Sequence, residues 1–362
     1  PGLIMWRTKR GLKFIDRVAK GHRRSWLTFG TMAAVVGTAL MVFIFSMMVY
    51  NLIFILSRPQ PAEAPAGVAI ALPGLVPGLT VITWLIAIGA LVIVHEFSHG
   101  FVLRAQNLET KSVGGLLLLA IPGAFVEPNE KQLKKAPISK RLRVYGAGSF
   151  ANILLALLCF GILLLLVAPK PGIYINDTIE NYPAEDVLEP GTRILEIDNI
   201  PMKTYNVFSY FMDNTKPGQT IELSTDKGDF PVELAEDPDN ENSGFLGVEV
   251  LSTTAISRSK FVNPAFILAA AMSEIWGRPV FHPHVYSSLV PWAIIDIIKW
   301  MFVLNLLISL FNLLPAVPLD GGYILRGVVE RGSSKKTAKH VSYAFSIIVL
   351  ALIAINFVPL VL

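Results

Sequence analysis

Cysteine and charge are both scarce in this sequence. The chain of 362 residues has one cysteine, Cys159, so an intramolecular disulfide and a zinc cluster of cysteine ligands are excluded. Charged residues make up only 16% of the sequence and hydrophobic residues 53%, which favours a membrane protein over a soluble one. The formal net charge of +4 is small and lies in short basic segments, so no nucleic-acid partner is indicated.

Charge is absent altogether from several long stretches. Residues 32–56 contain no charged side chain, and as a helix they would rise about 37 Å, more than the hydrocarbon core of a bilayer requires. We therefore expect an α-helical polytopic membrane protein with five or six membrane segments. The five spans that the sequence indicates are residues 28–56, 79–103, 144–167, 290–314 and 341–362.

The distribution of basic residues predicts the orientation of these spans. Lysine and arginine cluster between residues 103 and 144 and again after residue 323, whereas residues 57–78 contain one basic residue, Arg58. Because cytoplasmic loops are enriched in lysine and arginine, we expect the N-terminus on the cytoplasmic side of the cell membrane and the segment after the third span outside. The first apolar run is too long for a cleavable signal peptide, so it predicts a retained anchor, and residues 1–4 are given no functional weight.

The character of the chain changes along its length. Residues 170–251 have mixed polarity and short alternating runs between turn residues, which predicts a small soluble α+β domain. Residues 114–126 are too short to span; they predict a membrane-associated β-hairpin, with a simple interfacial segment as the alternative. The predicted organisation is a basic cytoplasmic segment (1–27), an accessory transmembrane helix (28–56), a first part of the membrane core (79–168), an external soluble domain (170–251), an interfacial connector with a short helix near 264–275 (252–289), a second part of the core (290–322), and a cytoplasmic loop with a last transmembrane helix (323–362).

A metal-binding motif falls inside the second span. His95, Glu96 and His99 fit the pattern HExxH, whose spacing places two imidazoles on one face of a helix with a glutamate beside them. Ionisable groups at membrane depth are unfavourable unless they are paired, coordinated or line a water-filled cavity. A polar cluster that ties helices together is the alternative, but a single serine or asparagine would serve that purpose.

A catalytic zinc usually takes a third protein ligand from a distant part of the chain. His22 and His340 lie in basic flanks, and His282 and His284 lie in a proline-rich stretch. Asp320 is the best candidate, because it follows the fourth span in the segment NLLPAVPLDGG and its predicted depth matches that of the motif. We expect one Zn²⁺ per chain, with Glu96 as the base that activates a zinc-bound water, and Asn312 near the oxyanion or the substrate backbone.

These residues resemble a known family. HEFSHGFVLRA together with NLLPAVPLDGGYILR is similar to the site-2 protease family of intramembrane zinc metalloproteases, particularly its archaeal members. The resemblance implies His95, His99 and Asp320 as zinc ligands and Glu96 as the catalytic acid and base.

The resemblance also covers elements around the site. The run 148–152 (GSFAN) is similar to a Gly-x-x-x-Asn element on a core helix, which makes Asn152 a supporting residue. Residues 114–126 are similar to a membrane-entering hairpin, which implies that Gly114 and Gly115 support an unwound substrate by strand addition. Residues 182–198 resemble a PDZ-like insert, with Tyr182–Pro183 where its carboxylate-binding loop would lie.

Three classes of function follow from these features. The leading hypothesis is regulated proteolysis within the membrane, with a single-span membrane protein as substrate, the bilayer as surroundings, and a peptide or ligand at the PDZ-like domain. A non-proteolytic membrane scaffold or receptor with a ligand-sensing PDZ-like domain is the main alternative, although an intact Glu96 argues against it. A metal or proton transporter would distribute its ionisable residues along a path, whereas here they converge at one depth.

Overall fold

The fold is given by a computed structural model. It describes residues 3–57, 71–118, 121–170, 172–185, 187–238, 240–252, 263–276, 280–281, 283 and 285–356. His282, His284 and the last residues of the predicted fifth span lie outside this set. The chain divides into two compact units, which we call the first unit (1–161, 275–277 and 296–362) and the second unit (162–274 and 278–295).

The helices account for most of the first unit. In chain order the described helices are α1 (Arg10–Gly21), α2 (Arg23–Leu56), α3 (Val81–Ala105), α4 (Glu130–Lys135), α5 (Ile138–Leu166), α6 (Tyr205–Asp213), α7 (Pro264–Ile275), α8 (Trp292–Asn312), α9 (Asp320–Gly332) and α10 (Lys335–Asn356).

The strands are divided between the two units, with β1 to β3 in the first and the others in the second. They are β1 (Leu3–Thr8), β2 (Thr110–Leu118), β3 (Ile121–Pro128), β4 (Val167–Pro169), β5 (Ile173–Thr178), β6 (Arg193–Ile197), β7 (Ile200–Pro201), β8 (Thr220–Thr225), β9 (Gly228–Glu233), β10 (Ala235–Asp237), β11 (Asn240–Phe245), β12 (Val248–Ser252) and β13 (Tyr286–Ser288).

Five of the described helices are long and apolar enough to cross a membrane. They are α2, α3, α5, α8 and α10, and they correspond to the five runs predicted from the sequence. Together with the β-rich second unit they confirm the predicted fold class, and the chain is a multi-pass membrane protein. Helix α9 was not expected, because residues after 322 were assigned to a loop; its apolar face is too short to be recognised as a span.

The first span packs tightly against the core helices. A Cβ on Gly146 of α5 would stand 2.4 Å from the carbonyl oxygen of Ala33 in α2, so these two backbones meet without a side chain between them. Gly37 of α2 faces the side chains of Ile324 and Leu313. Further along, the Asn51 amide donates to Asn356 Oδ1 of α10 at 2.6 Å. Helix α2 is therefore part of the packed first unit.

A three-stranded antiparallel sheet lies in the first unit. Strands β2 and β3 form the hairpin that the sequence predicted, with the connecting residues 119 and 120 outside the described set. Strand β1 pairs along the other side of β2, so the order is β1-β2-β3. Its residues include two that had been given no functional weight. Side chains of α1 and the sheet share a small core, formed by Ile15, Val113 and Val126.

The second unit is an α+β domain with its own apolar core. Five strands form a sheet in the order β12-β5-β6-β8-β9, and β7 pairs with β6. Strands β10 and β11 form a separate hairpin, and β4 pairs with β13. The core contains fully buried aliphatic residues from the sheet, including Ile173, Ile194 and Ile221, and Phe208 of α6.

Candidate metal centre

Helix α3 supplies the two histidines of the site. His95 and His99 are one helical turn apart, and their Nε2 atoms lie 3.2 Å from each other. Both side chains are largely buried, with 12% and 15% of their surface exposed. The i, i+4 spacing therefore produces the convergence that the sequence predicted.

Asp320 reaches the same point from the other end of the chain. It is the first residue of α9 and follows the break that Pro315 and Pro318 impose after α8. Its Oδ2 lies 3.5 Å from His95 Nε2, and its Oδ1 lies 3.6 Å from His99 Nε2. The two following glycines make this approach possible, because a Cβ on Gly321 would stand 2.0 Å from the carbonyl oxygen of Leu313.

The distances between these ligand atoms suit zinc. Four ligands at 2.0–2.1 Å from a tetrahedral ion are separated from each other by roughly 3.3 Å, close to the three distances given above. Within the described part of the chain, His95, His99 and Asp320 are the one group of three His, Cys, Asp or Glu residues whose ligand atoms converge, all within 4.8 Å. The donor set, two imidazoles and a carboxylate, is that of a catalytic zinc with an open fourth position.

Helix α5 supports the two histidines from the side opposite the metal. His99 Nδ1 donates to the carbonyl oxygen of Val144 at 2.7 Å, which leaves Nε2 without a proton and free to bind metal. The amide of Asn152 lies 3.4 Å from His95 Nδ1. Its Oδ1 is buried without a partner among the described residues, and rotation of the amide would let it accept the Nδ1 proton in the same way.

Gly148 brings the backbone of α5 against the ligand atoms. A Cβ built on this residue would stand 2.4 Å from His99 Nε2 and 2.6 Å from His95 Nε2. The sequence singled out the segment 148–152 by resemblance only. The structure gives Gly148 a physical role, because a side chain at this position would occupy the space between the two imidazoles.

Glu96 lies beside the ligands and contacts the sheet. Its Oε2 accepts a hydrogen bond from the backbone N–H of Val126 in β3, at 2.9 Å. The backbone N–H of Val126 therefore points away from β2 and towards α3. Since alternate residues of a strand present their backbone groups to the same edge, Ala124 also directs its N–H and C=O to that edge.

The other residues predicted to support the substrate, Asn312, Gly114 and Gly115, lie on α8 and β2. Asn312 is the half-buried last residue of α8, eight positions before Asp320, and its amide has no hydrogen-bond partner within the described residues. Gly114 and Gly115 lie in β2, which is the central strand of the sheet and pairs with β1 on the side opposite β3. A Cβ on Gly115 would stand 2.1 Å from the Trp6 ring, so these glycines accommodate β1. The edge strands of this sheet are β1 and β3, and of these β3 contacts Glu96.

Two features of the fold were not predicted from the sequence. Ser149, fully buried, donates from Oγ to Asp320 Oδ2 at 2.9 Å across 171 positions of sequence. The second unit contains a groove of about 560 Å³ between α6 and residues 243–251. Tyr182 and Pro183, where the resemblance placed a binding loop, are not part of its lining; the run 244–248 (GFLGV), with Gly247 at φ 78°, occupies that position.

The family assignment is decided by a comparison with family models. The model of peptidase family M50, the site-2 proteases, matches residues 83–355, which include both motifs of the metal centre. The chain belongs to peptidase family M50. Its predicted family is thus confirmed, and with it the general activity of a metalloprotease that uses zinc.

Relatives of this M50 protein are found in archaea and bacteria. An uncharacterized protein of Methanocaldococcus jannaschii is 27% identical over 332 residues, 91% of this chain and 78% of that protein. A Clostridium perfringens protein named as a candidate zinc metalloprotease is 24% identical and covers 68% of this chain and 86% of its own length. The candidate zinc metalloprotease Rip3 of Mycobacterium tuberculosis is 34% identical over 31% of this chain, which spans 28% of that protein.

Among the solved structures that this M50 protein resembles in part is a PDZ domain. It is the PDZ domain of the SdrC-like protein from Listeria monocytogenes, which is 24% identical and corresponds to 23% of this chain and 92% of that domain, with a TM-score of 0.21.

Proposed function

We propose that this M50 protein is an intramembrane zinc endopeptidase that hydrolyses peptide bonds within or near the transmembrane segments of other membrane proteins. The observation that carries the proposal is the convergence of His95, His99 and Asp320 at tetrahedral spacing. Two of these ligands lie on α3, a helix long and apolar enough to cross a membrane. A substrate that reaches them must come to membrane depth, and a single-span protein is the simplest such substrate.

The residues around the site have separable roles in this reaction. The two histidines and Asp320 would hold one zinc per chain, which would supply the Lewis acidity that makes water acidic and polarises a peptide carbonyl. Glu96 accepts the proton of the attacking water and passes it to the leaving amine. Asn312, whose amide is free to donate, stabilises the developing oxyanion or binds the substrate backbone.

The edge of β3 gives an extended substrate a place to bind beside Glu96. Val126 N–H is engaged by Glu96, and Ala124 offers an N–H and a C=O in the same direction. A transmembrane helix must unwind before a protease can reach its backbone, and strand addition would stabilise the unwound segment. We place the substrate on β3 because β1 closes the edge of β2.

The basic segments indicate how the protein is oriented in the membrane. Lysine and arginine between α3 and α5 and after α9 place these ends at the cytoplasm, with the N-terminus inside and the second unit outside. The HExxH motif lies in the second half of α3, so the metal centre would be nearer the cytoplasmic side. Accessibility of cysteines introduced at Glu130 and Glu180 to an impermeant reagent on intact cells tests this; labelling at Glu130 but not at Glu180 would reverse the orientation.

The groove of the second unit is a second place for a ligand. Strand β12 is at the edge of its sheet and faces α6 across the groove, an arrangement suited to strand addition by an extended peptide. We propose a peptide ligand here, measured by binding of fluorescent extended peptides to the full chain. Unchanged binding after Met212→Lys, which would place a cation in the groove, would contradict it.

Replacement of Glu96 tests the proposed protease activity. The full chain and its Glu96→Gln variant would be purified in detergent and assayed for bound zinc and for cleavage of a model transmembrane substrate. We expect one zinc per chain in both and a roughly 10²- to 10⁴-fold lower cleavage rate in the variant, since glutamine cannot accept the proton. The matched control is Glu180→Gln, which changes an exposed acid of the second unit.

The outcomes separate the hypotheses. Equal cleavage by the wild type and Glu96→Gln would show that Glu96 is not the base. Absence of zinc and of cleavage in both would favour a scaffold or receptor that retains the fold.

A further inference from the structure

Three hydrogen-bonding groups of one helix contact the three ligands of the metal centre. On α5, the carbonyl of Val144 accepts from His99, the amide of Asn152 lies against His95, and the hydroxyl of Ser149 donates to Asp320. The first two contacts hold residues of the long helix α3. The third contact holds Asp320, which lies on a different helix, α9. The position of Asp320 therefore depends on how α9 packs against α5.

Ser149 differs from four other hydroxyl residues within the long helices. Thr38, Ser98, Ser309 and Ser346 each donate to the carbonyl four residues earlier in their own helix. That local bond is the usual partner of a buried helical serine. Ser149 is fully buried and instead directs its proton to the carboxylate of Asp320. Its hydroxyl is therefore committed to a ligand rather than to its own helix.

The hydrogen bond fixes the rotation of the carboxylate. The terminal torsion of an aspartate is broad, so the plane of an unsupported carboxylate is poorly defined. In Asp320, Oδ2 is the atom that accepts from Ser149, and Oδ1 is the atom 3.6 Å from His99 Nε2. Oδ2 also lies 3.5 Å from His95 Nε2, so a donor on this oxygen fixes the plane of the carboxylate and with it the position of both oxygens relative to the two imidazoles.

The same face of α5 holds α9 along its length. Arg141 Nη2 donates to Glu330 Oε1 at 2.8 Å, and both side chains are more than nine-tenths buried. The rings of Tyr145 and Tyr323 stack with centroids 5.2 Å apart. Positions 141, 145 and 149 are four residues apart on α5, while their partners 330, 323 and 320 run in the opposite direction on α9. Ser149 and Asp320 are the end of this antiparallel contact that lies at the metal centre.

We propose that Ser149 is a positioning residue of the metal centre: its hydroxyl orients the Asp320 carboxylate and so raises the affinity of the site for metal. The proposal rests on the assignment of His95, His99 and Asp320 as ligands. It does not require that the protein cleaves membrane substrates.

Metal affinity of the full chain in detergent tests the proposal. Zn²⁺ and Co²⁺ would be titrated in competition with a chelator into the wild type, Ser149→Ala, Ser149→Thr and Ser309→Ala. We expect roughly 10- to 100-fold weaker binding in Ser149→Ala, the usual effect of losing a group that supports a ligand. Ser149→Thr, which keeps the hydroxyl, should bind like the wild type, and so should Ser309→Ala, which removes an equally buried serine that bonds its own helix.

The visible spectrum of bound Co²⁺ reports a change that a purely structural role would not produce. It should shift in Ser149→Ala and stay unchanged in Ser309→Ala, because only the former alters the ligand geometry. Thermal unfolding of the metal-free proteins shows whether each variant folds. If the methyl group of Ser149→Thr lowers that stability, Ser149→Cys provides a similarly sized weak donor, with expected affinity between those of serine and alanine.

The metal titrations distinguish the role of Ser149 from the assignment of the ligands. Wild-type affinity and spectrum in Ser149→Ala would overturn the positioning role and leave the ligand assignment intact. A wild-type chain that binds neither metal would overturn the ligand assignment itself.

Discussion

Two fully buried polar side chains of the first unit contact the proposed metal ligands, whereas two buried threonines of the second unit bond to nearby backbone. Ser149 and Asn152 are fully buried and contact Asp320 and His95. Thr215 and Thr225 of the second unit donate to carbonyls three residues away. The buried polar groups of the first unit orient the proposed metal ligands, whereas those of the second unit stabilise turns.

The two units also differ in how they hold acids. Glu274, the one buried acid in the described part of the second unit, accepts from the backbone N–H groups of Val280 and Phe281 and so closes a loop. Asp320 accepts one hydrogen bond, from Ser149, and its Oδ2 and Oδ1 atoms lie 3.5 Å and 3.6 Å from the Nε2 atoms of His95 and His99. A buried acid is therefore a candidate metal ligand only when its hydrogen bonds leave a carboxylate oxygen available to bind an ion.

The largest expected effect is the loss of the third ligand. Asp320→Asn should weaken zinc binding roughly 1,000-fold or more, because a neutral amide replaces an anionic ligand of a divalent cation. Asp213→Asn, an exposed acid at the end of α6, should leave the affinity unchanged. Chelator competition measures both. If the two variants lose the same affinity, the contrast between the units is wrong.

Aliphatic truncations sharpen the contrast by separating stability from metal binding. Ile221→Ala removes a fully buried side chain of the second unit and should lower the free energy of unfolding by about 3 kcal/mol. Ile324→Ala removes an equally buried residue of α9 and should in addition weaken zinc binding, since α9 carries Asp320. Urea unfolding and zinc titration distinguish them. Weaker zinc binding in Ile221→Ala would show that the units are coupled.

The smallest effect concerns the ion pair that joins α5 and α9. The hydrogen bond from Arg141 lowers the pKa of Glu330 below its ordinary value of 4.5. A lowered pKa stabilises the folded state above pH 4.5, and that contribution disappears as the pH falls through the lowered pKa. Glu330→Gln should therefore lower the free energy of unfolding by about 2 kcal/mol at neutral pH, and the difference from the wild type should shrink at about pH 3.

An exposed pair provides the control for this pH dependence. Lys134 also lowers the pKa of Glu130, but both side chains are mostly exposed, so Glu130→Gln should change stability little at either pH. Denaturant unfolding at the two pH values measures both variants. A loss of stability in Glu330→Gln that is the same at both pH values would contradict the electrostatic origin.

Local patterns predicted much of this architecture. An apolar run long enough to cross a bilayer is visible in the sequence, and so is the spacing of His95 and His99 on one helical face. Asp320 could be proposed because an acid within an apolar segment requires an explanation. Each of these inferences depends on residues that are close together in sequence or on a single unusual residue.

Contacts between distant segments were not predictable in this way. Nothing in the residues around Ser149 indicates a partner 171 positions away, since a helical serine has a local carbonyl available. The pairing of β1 with β2 depends on a register that the first eight residues do not specify on their own. The binding loop was predicted at Tyr182 and Pro183, but the loop that lines the groove is 244–248. Its position beside α6 depends on packing between segments that are distant in sequence.

Gly148 gives this protein a simple route to a metal-free form. The Cβ of an alanine there would stand 2.4 and 2.6 Å from the two imidazole nitrogens, close to a zinc–nitrogen bond length of 2.0–2.1 Å. A carbon atom cannot stand this close to a ring nitrogen, so one methyl group would displace the imidazoles from the arrangement that suits zinc, while every ligand and its hydrogen-bond partners remained in the sequence. Such a chain would serve as a reference in which binding of the proposed substrates can be measured in the absence of zinc.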